Sequence, residues 1–63
     1  MNELIRLKDV KQMTGLSRST IYSYIRYGVF PKQIKLGERA SAWIKNEVDE
    51  WIIARITKTR TVV

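Results

Sequence analysis

The chain has 63 residues, with twelve Lys and Arg against six Asp and Glu, and neither His nor Cys. That composition excludes disulfides, zinc fingers, thiol nucleophiles and imidazole bases, and it leaves a single small domain near the lower limit for a core without staples. A net charge of +6 and an isoelectric point of about 10.1 point to a polyanionic partner.

No stretch approaches the roughly twenty apolar residues of a membrane span. Met1 leads into Glu3, Arg6 and Lys8 with no apolar core of a signal peptide between them. A cytoplasmic, nucleoid-associated protein with no membrane contact is the expectation. No repeat, linker or low-complexity segment interrupts the chain, so one domain is expected over residues 1–56, followed by a flexible tail over 57–63.

Leu4, Ile5 and Leu7 lead into a first helix over Leu7 to Thr14, with Leu7, Val10, Met13 and Thr14 at helical spacing. Asp9 in its first turn suits the positive end of the helix dipole, whereas Arg6 is a poor cap residue. Gly15 supplies a turn, and Leu16 is expected to tuck between this helix and the next.

Ser17 reads as the N-cap of a second helix running to Tyr27, with Gly28 as its left-handed C′ residue and Pro31 barring continuation. Two short helices around a Gly turn spell a helix-turn-helix. At about 100° per residue, Ser19, Tyr22, Ser23 and Arg26 lie within about 140° of Arg18 on one side, and Ile21, Tyr24 and Ile25 lie on the other. Such a helix buries one flank and offers Arg, Ser and Tyr donors to phosphates and base edges on the other. From Lys11 to Leu36 there is no acid, but there are five cations: Lys11, Arg18, Arg26, Lys32 and Lys35.

After Pro31, alternation of Gln33 and Lys35 with Ile34 and Leu36, then Ser41 to Ile44, predicts a two-stranded hairpin turning near Gly37. Gly37 is expected to permit the tight turn and to place Glu38 and Arg39 at the tip. This wing would carry Lys32, Lys35 and Arg39. A last helix over Lys45 to Arg55 aligns Ile44, Val48, Trp51, Ile52 and Ile56, with Glu47, Asp49 and Glu50 in its first two turns. Acids there disfavour contact with phosphate, so this helix is assigned to support, and Trp43 and Trp51 to the core rather than to base stacking.

The strings Arg6-Leu7-Lys8-Asp9-Val10, Thr14-Gly15-Leu16-Ser17-Arg18-Ser19-Thr20-Ile21-Tyr22, Phe30-Pro31-Lys32, Lys35-Leu36-Gly37-Glu38-Arg39-Ala40, and Trp43 followed by Val48-Asp49-Glu50-Trp51-Ile52 resemble the AlpA-type prophage regulators. These are relatives of the winged-helix phage excisionases and of the MerR-like DNA-binding domain. The resemblance covers Leu4 to Arg55 and implies a winged helix-turn-helix, mainly α, with three helices and a two-stranded wing. It implies a non-enzymatic, cofactor-free binder of double-stranded DNA that regulates prophage genes or directs excision with an integrase. Family contacts would fall on Ser17, Arg18, Ser19, Tyr22 and Arg26 of the recognition helix and Arg39 of the wing. Two residues depart from the family pattern: Tyr24 stands where Leu is more usual, and Glu38 where a small residue is.

The residues taken together assign DNA binding to Ser17, Arg18, Ser19, Tyr22, Ser23, Arg26, Lys32, Lys35 and Arg39. A reading from another class is a protein-interaction module such as an antirepressor, which would shift no unrelated duplex DNA at low salt. No dimerisation helix stands out, so a monomer that binds adjacent sites cooperatively is expected.

Overall fold

The structure, a computed structural model, describes residues 3–60. Its elements run β1 (Leu4–Ile5), α1 (Leu7–Thr14), α2 (Arg18–Arg26), β2 (Ile34–Lys35), β3 (Ser41–Ile44) and α3 (Lys45–Arg60). Three helices with a small antiparallel sheet make a winged helix-turn-helix in which β2 and β3 form the wing hairpin.

Both helices of the helix-turn-helix start and stop where local chemistry directs. The Arg6 guanidinium cannot accept a hydrogen bond. The cap is instead closed from the other side, because the Arg6 backbone N–H donates to Asp9 Oδ2 at 3.1 Å. Gly15, at φ 74°, ends α1 by donating its N–H to the Lys11 carbonyl at 2.8 Å. Thr14 Oγ1 then donates back to the Val10 carbonyl and accepts from Leu16 N–H, holding the turn.

Ser17 Oγ accepts the Thr20 N–H at 3.2 Å, as an N-cap should. At the other end Gly28 N–H reaches the Ile25 carbonyl and Val29 N–H the Tyr24 carbonyl, the paired bonds of a Schellman motif, with Gly28 at φ 75°. Ser17→Ala should therefore lower stability by about 1 kcal/mol, read as a lower urea midpoint. An unchanged midpoint would show that the cap contributes nothing.

Three elements differ from the sequence expectation. Leu4 and Ile5 do not merely lead into α1; they form β1, which pairs with β3 through Leu4↔Ile44 and Ile5↔Trp43 and makes the sheet three-stranded in the order β1-β3-β2. β3 is thus the central strand, and its Trp43 and Ala42 are fully buried. The last helix runs on to Arg60 rather than ending at Arg55, so Thr57 to Arg60 are helical; the rest of the expected tail, 61–63, lies outside the described residues.

Gly37 is the third difference. Its backbone is not left-handed, and an added Cβ would meet only Ala40 Cβ at 3.9 Å, so the turn does not require glycine. Leu36 N–H and Gly37 N–H both donate to the Ala40 carbonyl, and these bonds close the loop instead.

The core is Ile5, Val10, Ile21, Phe30, Trp43 and Val48, drawn from every part of the chain. Each indole N–H answers a carbonyl of the segment that links α2 to the wing: Trp43 Nε1 donates to Pro31 O at 3.0 Å and Trp51 Nε1 to Val29 O. Trp51 is only half-buried, with Phe30 edge-on at 4.8 Å between ring centroids. The two tryptophans therefore fix the path of the chain from the recognition helix into the hairpin. On the surface, Lys45 Nζ donates to Asp49 Oδ2 at 3.0 Å, and that carboxylate holds the ammonium above its ordinary pKa. An exposed pair of this kind adds little stability.

Candidate nucleic-acid interface

α2 turns Ile21 fully into the core and leaves Arg18, Ser19 and Arg26 exposed. Its backbone is held at both ends by the Ser17 cap and the Schellman motif, so the exposed side chains project from a rigid helix. Ser23 is half-buried. The Ser17 hydroxyl is already engaged: besides accepting Thr20 N–H, it donates to Thr20 Oγ1 at 3.0 Å, so only one lone pair remains for an outside donor.

Tyr22 has a different setting from the one its place on the helical wheel suggests. The ring is half-buried and meets Trp43 edge-on, with centroids 6.2 Å apart. The Arg18 guanidinium lies over the same ring, 5.6 Å from its centroid. Arg18, Tyr22 and Trp43 thus form a short stack from the surface into the core, and a flat guanidinium resting on an aromatic face loses little further freedom when it meets an acceptor. The signal for the outer half of this stack is in the sequence, as the four-residue spacing of Arg and Tyr on a helix. The inner half was missed because Trp43 lies on β3.

Lys32 is exposed in the segment after α2, Lys35 on the edge strand β2 and Arg39 in the loop between β2 and β3. Lys35 pairs with Ser41 across the hairpin, while Ile34, opposite Ala42, takes the alternate direction. Glu38 is exposed beside Arg39, so the tip carries one charge of each sign. Among the described residues, no helix is long and apolar enough to cross a membrane.

Residues 3–56 match the family model described as "Prophage CP4-57 regulatory protein (AlpA)". The chain is 41% identical over 58 residues to the "DNA-binding transcriptional activator AlpA" of Escherichia coli K12, covering 82% of this chain and 83% of that one. The chain belongs to the AlpA family of prophage regulatory proteins. It is also 48% identical over 52 residues to "Uncharacterized protein ORF88" of Enterobacteria phage P4, covering 82% of this chain and 59% of the phage protein. The AlpA match spans both helices of the helix-turn-helix, the wing and the start of α3, so it includes every candidate contact residue.

Proposed function

We propose that this AlpA-family chain is a sequence-specific binder of double-stranded DNA that regulates transcription, with α2 in the major groove and the β2–β3 hairpin beside it over the minor groove or backbone. The observation that carries this reading is the exposed face of α2: Arg18, Ser19 and Arg26 are exposed, within a stretch of sequence that has no acid, on a helix whose Ile21 is locked into the core. The AlpA of E. coli, by its name a DNA-binding transcriptional activator, supports it. Arg18 and Arg26 make charge-assisted contacts, Ser19 and Ser23 supply hydrogen bonds, and Lys32, Lys35 and Arg39 hold the backbone from the wing side.

The test separates base reading from fastening. Once a preferred site has been selected from genomic fragments, Arg18→Ala should cost about 1 to 3 kcal/mol on that site and flatten the preference over random duplex. Lys35→Ala should weaken both alike. Equal losses on specific and random DNA for Arg18→Ala would show that this guanidinium meets phosphate only, and no binding by the parent protein at low salt would overturn the proposal.

The wing has its own test. Arg39 can enter a narrow, strongly negative minor groove, from which the neighbouring carboxylate of Glu38 is repelled. Glu38→Gln should tighten binding modestly and Arg39→Ala weaken it, both without change in melting temperature because both side chains are exposed. Parent-like affinity in both variants would make the hairpin a structural connector.

A further inference from the structure

Arg18 and Arg26 are the two cations of α2, both exposed, yet the fold mounts them differently. The Arg18 guanidinium lies over the Tyr22 ring, 5.6 Å from its centroid. Among the described residues, no ring lies under Arg26.

The ring beneath Arg18 is itself held from behind. Tyr22 is half-buried and meets Trp43 with 6.2 Å between centroids and 63° between ring planes. Trp43 has no exposed surface, sits on the central strand of the sheet and donates its indole N–H to the Pro31 carbonyl at 3.0 Å. The platform under Arg18 is therefore fixed by the core, and the guanidinium covers the Tyr22 face from outside.

We propose that Tyr22 is a positioning residue: its ring, and not its hydroxyl, holds Arg18 for base reading, so it sets sequence preference without touching DNA. This rests on the DNA-binding reading above, and it departs from the family expectation that Tyr22 is itself a contact. A long side chain that becomes fixed at an interface loses rotamer freedom, at a cost of about three- to ten-fold in affinity. On the ring, much of that loss has already been taken in folding. The planar fork then presents its outer N–H groups in one direction, as a bidentate contact to a guanine edge requires. Without the ring, Arg18 is free to swing to phosphates on either side, so binding to a preferred site falls while binding to random duplex does not. Arg26, with no such platform, suits a phosphate contact, which carries no sequence information.

One arm of the test needs no DNA. In the free protein the Arg18 Nε–H should show a higher NMR order parameter than that of Arg26. Tyr22→Phe should keep this order, and Tyr22→Leu should bring Arg18 down to the level of Arg26. On DNA, Tyr22→Phe should keep the parent's ratio of affinities for a selected site and random duplex, whereas Tyr22→Leu should lower the ratio about three- to ten-fold. In an Arg18→Ala background the same Leu change should lower it no further. If Tyr22→Leu loses its cooperative melt, Tyr22→Met replaces it, since Met also removes the aromatic face but fills more of the space. A ratio lowered by Tyr22→Phe would make the hydroxyl a contact, and a further loss in the Arg18→Ala background would show Tyr22 acting without Arg18. Either result, or equal order at Arg18 in the parent and Leu variants, would overturn the proposal. Absence of DNA binding by the parent would overturn the function itself; order at Arg18 in the free protein tells that failure from a failure of the mount.

Discussion

Trp43→Ala should leave the chain largely unfolded at room temperature, with the cooperative melting transition lost from circular dichroism. The indole has no exposed surface, sits on the central strand between β1 and β2, and meets the Tyr22 ring on α2. Removing a buried Trp costs about 3 to 5 kcal/mol through lost burial and the cavity left behind. A domain of this length has only about 3 to 9 kcal/mol in hand at typical values per residue. Trp43→Phe separates packing from hydrogen bonding, because it keeps a ring beside Tyr22 but leaves the Pro31 carbonyl without its donor. That variant should fold, less stable by about 1 to 3 kcal/mol. A cooperative melt for Trp43→Ala close to that of the parent would show that the core does not depend on this side chain.

DNA affinity should fall about 500-fold between 50 and 200 mM salt, on the order expected for five phosphate contacts. The acid-free stretch carries five cations, Lys11, Arg18, Arg26, Lys32 and Lys35, and each is exposed. Each neutralised phosphate releases counterions, so five contacts give a log–log slope of about −4.5. Replacing one of these cations should reduce the slope by about one. A titration flat in salt would overturn the assignment of this surface to a nucleic-acid backbone.

Much of the fold was legible because its signals are local. Ser17, Gly15, Gly28 and Pro31 each act within a turn of their own position, and α1 and α2 lie where those residues put them. The candidate contacts on α2 were legible for the same reason: Arg18, Arg26 and the hydroxyls of Ser19 and Ser23 lie on that helix, and helical periodicity assigns them to a face. What stayed hidden depends on partners distant in the chain. Leu4 and Ile5 form a strand only because β3, some forty residues on, offers its free edge; two apolar residues before a helix carry no strand signal of their own. The special backbone expected at Gly37 is absent because the Ala40 carbonyl, accepting two N–H groups, closes the loop with ordinary dihedral angles.

The length of α3 and the posture of Tyr22 mark the same boundary. Residues 57–60 lack a core pattern, yet no Gly or Pro follows Lys45 to end the helix, and Lys58 and Arg60 suit its negative end. The wheel assigns Tyr22 wholly to the outer flank, whereas its ring leans on Trp43, a contact that exists only once β3 has docked against the helices. The sequence by itself determined the ends of α1 and α2, the charge of the exposed face and the place of the hairpin, because caps and periodicity act over one to four residues. Only the tertiary structure decided the third strand and the contact of Tyr22 with Trp43 beneath Arg18, because each depends on bringing together surfaces that the chain order keeps apart.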